Sequence, residues 1–212
     1  MATVVPTVLA TTPEEYAAMA ERARSLSQRV HIDISDGQFT DNLTLGLAQV
    51  QVPEGTDLDL HLMLQDPAAQ LETALSLKPH LIIFHAEASG DIAGCMRHVR
   101  ELGVRAGVAL LQQTPVASAE PLLKLADHAL IFTGNLGHNG GNFQTDQLAK
   151  SAQIRIIKPE LEISVDGGVT DANAALAVLQ GVDVLYVGAF LQQAADPQAA
   201  YDALKRQVVV HV

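Results

Sequence analysis

The 212-residue sequence has one cysteine, no tryptophan, and only 4% aromatic residues. A single cysteine excludes both a disulfide framework and a thiolate metal cluster, and we expect Cys95 to be a small apolar residue on a helix. No apolar run approaches the ~20 residues of a membrane-spanning helix. The first residues also lack the basic and apolar regions of a signal peptide. These absences predict a cytoplasmic protein without a membrane partner.

Basic residues are scarce as well. Thirteen Lys and Arg against 24 Asp and Glu give a formal net charge of −11. This balance argues against a nucleic-acid partner and against binding to an anionic membrane surface. It remains compatible with a phosphorylated small molecule, because backbone amides can bind phosphate on an acidic protein. The length and the 48% hydrophobic fraction predict one domain over residues 1–212.

Short apolar runs alternate with amphipathic segments along the whole chain. The runs are rich in β-branched residues and leucine, which is typical of buried parallel strands. Thr12-Pro13-Glu14-Glu15 is a helix-capping sequence, and Asp-Pro pairs open two further helices. This repeat predicts a single (β/α)8 TIM barrel, with a doubly wound open sheet as the alternative. The predicted strands are Val4–Leu9, Val30–Ile34, Leu58–Met63, Leu81–His85, Arg105–Leu111, Ala129–Thr133, Glu162–Val165 and Val184–Val187. The later predicted helices are Pro67–Leu77, Ile92–Leu102, Ala117–Leu125, Asp146–Ala152, Ala172–Leu179 and Pro197–Gln207, with a short or degenerate helix around Leu43–Val52.

Polar residues stand near the ends of the predicted strands, where barrels build their active sites. His31 and Asp33 are two residues apart on one strand and so share a face. His61 and Asp166 occupy matching positions on the third and seventh strands. Buried imidazoles and carboxylates are costly unless paired or coordinated, so the four predict a mixed nitrogen and oxygen site for zinc, iron(II), manganese or cobalt. Considered alone, His31 and Asp33 also fit an ordinary buried hydrogen-bonded pair.

Other chemically distinctive residues narrow the possible functions. His85 ends the fourth strand two residues before Glu87, and we predict a supporting or structural role for this pair. None of the five lysines falls at a predicted strand C-terminal end, so a Schiff-base aldolase lacks its nucleophile. No Gly-x-Gly-x-x-Gly opens a helix, which leaves dinucleotide binding unsupported.

Three loops have the composition of a phosphate site. Residues 133–142 are rich in glycine and follow the sixth strand, while residues 166–168 and 188–189 follow the seventh and eighth. Glycine lets the backbone approach an anion closely, and barrels often bind phosphate after strands seven and eight. Each loop alone is more often a tight turn, but the three together predict phosphate binding.

An ordered set of motifs resembles the ribulose-phosphate 3-epimerase family. Residues 31–39 with Asn42 are similar to H-x-D-x-M-D-G-x-F-x-x-N, and residues 59–63 are similar to D-x-H-L-M. Residues 165–169 match V-D-G-G-V, and residues 6–9 resemble an opening P-S-I-L. Because these motifs keep their order over nearly the whole chain, the set is far more specific than any one of them.

The resemblance implies a metal-dependent epimerisation at C3 that interconverts ribulose 5-phosphate and xylulose 5-phosphate through a cis-enediolate. It implies that His31, Asp33, His61 and Asp166 hold the metal, with the two aspartates as acid and base on opposite faces of the substrate. The substrate and phosphate contacts that it implies are Thr7, His61, Gly137, His138, Asn139, Gly140, Gly167, Gly168, Gly188 and Ala189.

Several residues depart from the family pattern. Ser35 and Phe132 stand where the family usually has methionine, and with Met63 they form the predicted lining of the substrate cavity. His138 and Asn139 replace a phenylalanine and a glycine of the usual phosphate loop. These departures leave open an epimerase of another ketose phosphate, such as a ketohexose 6-phosphate. A sugar-phosphate or metal-binding barrel without turnover is the non-enzymatic alternative.

Two further points concern related barrels and assembly. The D-x-K-x-x-D signature of phosphate-binding decarboxylases and hexulose-phosphate synthases is absent, since His61 stands at the lysine position. The apolar ending 208–210 can pack on the barrel or on a second subunit, so a homo-oligomer is a possible assembly.

Overall fold

The computed structural model describes residues 2–209, which form a closed barrel of eight parallel strands. Strand β1 pairs with both β2 and β8, so the sheet has no edge. The predicted (β/α)8 barrel is therefore confirmed, and the open sheet is excluded. Each predicted strand end lies within one residue of the observed one. The strands are β1 (Thr3–Val8), β2 (Arg29–Ser35), β3 (Asp57–Met63), β4 (Leu81–His85), β5 (Arg105–Leu110), β6 (His128–Phe132), β7 (Glu162–Asp166) and β8 (Val184–Val187).

Helices connect the strands, but three of them begin later than the sequence predicts, and the one predicted over Asp146–Ala152 continues to Ile157. The helices predicted from Pro67, Ala117 and Asp146 each open with a 3-10 turn, and the connection around 43–52 holds only the 3-10 turn Leu47–Gln49. The short helix after β8 was not predicted, because its sequence is read as a glycine loop. The helices are α1 (Pro13–Leu26), α2 (Leu71–Ser76), α3 (Ile92–Glu101), α4 (Glu120–Leu125), α5 (Ala149–Ile157), α6 (Asp171–Leu179), α7 (Ala189–Gln192) and α8 (Pro197–Val208).

Alternate residues of each strand face either the helices or the barrel interior. Val30, Ile32 and Ile34 of β2 belong to the apolar layer between the strands and the helices. His31 and Asp33 therefore face inward. In the register between β2 and β3, His31 is opposite Asp59 and Asp33 is opposite His61. Two neighbouring strands thus bring four polar side chains to one side of the interior.

The N-terminal end of the barrel is closed by a network of ion pairs. Arg29 donates to Asp59 at 2.7 Å and to both carboxylate oxygens of Glu162 at 3.1 Å. His128 Nδ1 lies 2.8 Å from Glu162, and the Tyr186 hydroxyl donates to Asp59 at 2.8 Å. This network contributes to stability, since barrel chemistry takes place at the opposite face.

Three smaller expectations concern particular residues. Cys95 is buried on α3, as expected. Val208 is buried against the helix layer of the barrel, whereas Val210 of the predicted apolar ending lies outside the described residues. Within residues 2–209, no helix combines the length and the apolar character needed to cross a membrane.

Candidate active site

The four predicted metal ligands meet at the carboxyl ends of β2, β3 and β7. One ligand atom from each of His31, Asp33, His61 and Asp166 lies within 4.8 Å of the others, and all four residues are buried. Asp33 Oδ1 is 3.1 Å from His31 Nε2 and 2.7 Å from His61 Nδ1. Asp166 Oδ2 is 3.8 Å from each of the same two nitrogens. The tertiary structure therefore presents two imidazole nitrogens and two carboxylates to one point.

The two carboxyls of this cluster have opposite environments. Burial by itself would raise the pKa of Asp33, but His31 and His61 hold that pKa well below its usual range. Burial and the charge of Asp33 raise the pKa of Asp166 to about 6. Two buried carboxylates this close need positive charge to be ionised together, and a divalent cation supplies it. Two histidines with two carboxylates are also a donor set that zinc and the first-row divalent metals accept. The residues therefore fit the predicted metal.

His85 lies outside the four-residue cluster but contacts it. Its Nε2 is 2.8 Å from His61 Nε2, and its Nδ1 is 3.3 Å from Glu87 Oε2. Burial lowers the pKa of His85 to about 4. The sequence places His85 at a strand end, but it does not show which neighbour its ring reaches.

Tyr186 is a site residue that sequence reasoning missed. Its ring lies 3.9 Å from the ring of His31, centroid to centroid, with a tilt of 33°. Because its hydroxyl donates to Asp59, the ring is held beneath His31. No signal in the sequence marks it, since an apolar β8 position holding tyrosine is typical of a core residue.

A cavity of about 410 Å³ opens above Asp33 and Asp166. Its wall contains most of the predicted contact and lining residues, and it also includes Val169, Thr170, Phe190 and Gln193, which were not predicted. In the described part of the chain, no lysine or arginine belongs to this wall. The predicted residues on the wall are Thr7, Met63, Phe132, Gly137, His138, Asn139, Gly140, Gly167, Gly168, Gly188 and Ala189.

Ser35 and His61 do not belong to the cavity wall within residues 2–209. The Ser35 hydroxyl donates to the Asn42 carbonyl at 2.7 Å and lies 2.9 Å from the Thr40 hydroxyl. A polar side chain that binds its own loop does not reach the substrate space. His61 is fully buried, with Nδ1 on Asp33.

The loops after β6 and β7 are joined to each other at the cavity. Thr133 donates its amide and its hydroxyl to the Asp166 carbonyl at 2.7 and 2.8 Å. Gly168 has φ of +77°, and a Cβ there would lie 2.7 Å from the Gly141 carbonyl oxygen. Only glycine adopts this positive φ without strain and lacks the Cβ that would clash. The backbone itself therefore forms this part of the wall.

Two polar side chains stand near the predicted phosphate region. The Thr7 hydroxyl is buried on the cavity wall, and no residue among 2–209 hydrogen-bonds to it. It is therefore available to a ligand. His138 Nε2 lies 2.7 Å from Asp41 Oδ1, and this pair joins the loop after β6 to the loop after β2 at the exposed rim.

A closed parallel barrel with a His/Asp cluster and glycine loops at the strand carboxyl ends defines a TIM-barrel enzyme. Residues 3–191 match the ribulose-phosphate 3 epimerase family, and the chain belongs to that family. It is thereby an isomerase of the epimerase class that acts on carbohydrates.

Curated relatives of this chain are named ribulose-phosphate 3-epimerase. The chain is 30% identical to the ribulose-phosphate 3-epimerase of Mycobacterium bovis, with 96% of this chain and 92% of the relative covered. It is also 30% identical to that of Bacillus subtilis, with 97% and 99% covered. Among solved structures, 3-hexulose-6-phosphate synthase from Salmonella typhimurium is similar with a TM-score of 0.74 over 98% of each chain. At 15% identity, that likeness shows the fold alone.

Proposed function

We propose that the protein is a metal-dependent epimerase that inverts C3 of D-ribulose 5-phosphate to give D-xylulose 5-phosphate. The observation that supports the proposal most strongly is the pair Asp33 and Asp166, which lies on the floor of a cavity lined by glycine-containing loops. The same two carboxyls form a buried cluster with His31 and His61. Full-length relatives named ribulose-phosphate 3-epimerase support the choice of substrate.

The two aspartates would carry the proton exchange. The proton on C3 is weakly acidic because it neighbours a ketone, so a carboxylate on one face removes it. The other carboxyl then returns a proton to C3 from the opposite face, which inverts the centre. Beside a bound cation both carboxyls would be near ionisation, so a proton acceptor is available at neutral pH.

The metal would be held by His31, Asp33, His61 and Asp166, and it would be zinc, iron(II), manganese or cobalt. When bound, a divalent cation polarises the ketone and stabilises the negative charge that develops on the substrate oxygens. The chain's own contribution is to keep the donor atoms buried and close together.

The phosphate would bind through backbone amides. The cavity wall contains glycines from the loops after β6, β7 and β8, and it contains no lysine or arginine in the described chain. Backbone N–H groups can hold an anion without a cationic side chain. The Thr7 hydroxyl would supply a further donor from β1.

We expect the protein to act in the cytoplasm as a single catalytic domain, and a homo-oligomer remains a prediction. The rice relative is named a cytoplasmic isoform, while the Arabidopsis thaliana relative is named chloroplastic.

Proton exchange in deuterated water tests the proposal. The purified protein, stripped with a chelator and reloaded with one metal at a time, is incubated with ribulose 5-phosphate and with a ketohexose 6-phosphate. We expect deuterium at C3 and formation of xylulose 5-phosphate only after metal is added. Absence of exchange with every ketose phosphate despite bound metal would refute the enzyme, and full activity without metal would refute the metal. Faster turnover of the ketohexose 6-phosphate would reassign the substrate.

A further inference from the structure

The two ring nitrogens of His61 have different neighbours. Nδ1 faces the cluster, 2.7 Å from Asp33 Oδ1. Nε2 faces away from the cluster and lies 2.8 Å from His85 Nε2. Two imidazole nitrogens at hydrogen-bonding distance share one proton between them, so one ring donates and the other accepts.

The partners of His85 decide which ring donates. Glu87 Oε2 lies 3.3 Å from His85 Nδ1, and a carboxylate can only accept, so the proton of His85 belongs on Nδ1. The Leu111 amide fixes Glu87 in turn by donating to its Oε1 at 2.9 Å. His85 Nε2 then has a free lone pair and accepts from His61 Nε2. As a result, His61 keeps the lone pair of Nδ1 for a cation.

We propose that His85 and Glu87 are positioning residues that hold His61 in the tautomer and ring orientation needed to bind the metal. The proposal rests on the metal site of the proposed function. It assigns a role that the four-residue cluster does not include, since His85 reaches the cluster only through His61. The other histidine of the cluster has no such support from the protein, because His31 Nδ1 has no hydrogen-bond partner among residues 2–209.

A purely structural role for His85 is the competing explanation, and His128 is a matched control for it. Both histidines are fully buried, and each contacts a carboxylate and a second polar side chain. His128 contacts Glu162 at 2.8 Å and Ser164 at 2.7 Å, but it lies at the N-terminal end of the barrel. Loss of either ring should destabilise the protein, while only His85 should alter metal binding.

Metal affinity of the stripped, full-length protein tests the inference without any substrate. Zinc affinity is measured by competition with a chromophoric chelator, and the cobalt(II) absorption spectrum reports the ligand geometry. We expect His85→Leu to weaken zinc binding by roughly 10- to 100-fold and to change the cobalt spectrum. Glu87→Leu, at a more exposed position, should weaken binding by a smaller factor. His85→Gln, whose amide oxygen can still accept from His61 Nε2, should stay within a few-fold of the unmodified protein.

The outcomes separate this inference from the proposed function. If the unmodified protein binds none of the four metals, the proposed metal site is refuted, and this inference with it. If it binds zinc and both leucine variants bind equally well, the inference alone is refuted. If His128→Leu weakens zinc binding as much as His85→Leu, general destabilisation explains the effect, and the inference is again overturned. Unfolding curves of all variants show whether each one is folded during the titration.

Discussion

Single atoms at the floor of the cavity determine the proposed chemistry. Asp166→Asn keeps the size of the side chain but removes its ability to take up and return a proton. We therefore expect the rate of C3 exchange to fall by roughly 100- to 10,000-fold while the barrel stays folded. The rate is measured by deuterium incorporation. Asp183→Asn, at the opposite end of the barrel, should retain normal exchange, and near-normal exchange in Asp166→Asn would contradict the acid and base role.

Ionised Asp166 should lower the free energy of unfolding of the metal-free protein. Burial and Asp33 raise the pKa of Asp166 to about 6, above its value of about 3.9 in the unfolded chain. The folded state then binds more protons than the unfolded state between these values, so the contribution of Asp166 to stability falls as pH rises from about 4 to 6. Asp166→Asn avoids ionising a buried group, and we expect it to stabilise the metal-free protein by about 1 to 3 kcal/mol at pH 7.

Urea unfolding of the chelator-treated proteins between pH 4 and 8 measures this difference. The difference in unfolding free energy between the two proteins should shrink toward pH 4, where Asp166 is protonated in the folded state and about half protonated in the unfolded state. A difference that is independent of pH, or an Asn variant that is less stable at pH 7, would refute the explanation. Added zinc should reverse the order, because the unmodified protein gains more from binding the metal.

Among the elements, the loops after β6 and β7 form the wall of the cavity. Gly168→Ala adds a Cβ that would lie 2.7 Å from the Gly141 carbonyl and 2.8 Å from the Phe143 amide, so the two loops must separate. We expect the KM for the sugar phosphate to rise by roughly tenfold, which corresponds to about 1.4 kcal/mol of binding.

Gly103→Ala is the matched control for backbone strain. Gly103 has a φ of +81°, close to the +77° of Gly168, but a Cβ there meets nothing within 4 Å. Both variants adopt an unfavourable left-handed conformation, whereas only Gly168→Ala displaces the cavity wall. Steady-state kinetics of the two, compared with their unfolding midpoints, separates the effects. Equal KM values in the two variants would contradict a role for this loop in binding.

Over the whole molecule, stability and chemistry occupy opposite ends of the barrel. At the N-terminal end, the largely buried Arg29 pairs with the fully buried Asp59, so Arg29→Leu leaves that carboxylate without its counter-charge, while Glu162 keeps Arg105 at 3.0 Å. We expect a loss of about 3 to 5 kcal/mol in the free energy of unfolding, measured in urea at pH 7.

Arg97→Leu is the control at the surface. Its ion pair with Asp91 is more than half exposed on both sides, and its removal should change stability by less than about 0.5 kcal/mol. Comparable losses in the two arginine variants would show that burial of the Arg29 network is not what stabilises the barrel.

Local patterns were enough to predict much of this protein. Strand and helix periodicity depends on neighbouring residues, so the eight strands were predicted to within one residue at each end. The two-residue spacing of His31 and Asp33 predicted their shared face, and the strand ends predicted that His61 and Asp166 would join them. Helix starts were less accurate, because a 3-10 turn and an α-helical turn share the same capping signals.

The tertiary structure determined the side-chain contacts that the local sequence pattern could not predict. That His61 reaches His85, that Tyr186 lies beneath His31, and that Ser35 turns toward its own loop all depend on strand register and side-chain rotamers. These contacts join strands or loops that are separate in the chain, and many rotamers satisfy the same sequence until neighbouring elements pack around them. The sequence thus determined the barrel and the residue types at its mouth, whereas packing decided which nitrogen of His31 and of His61 faces Asp33.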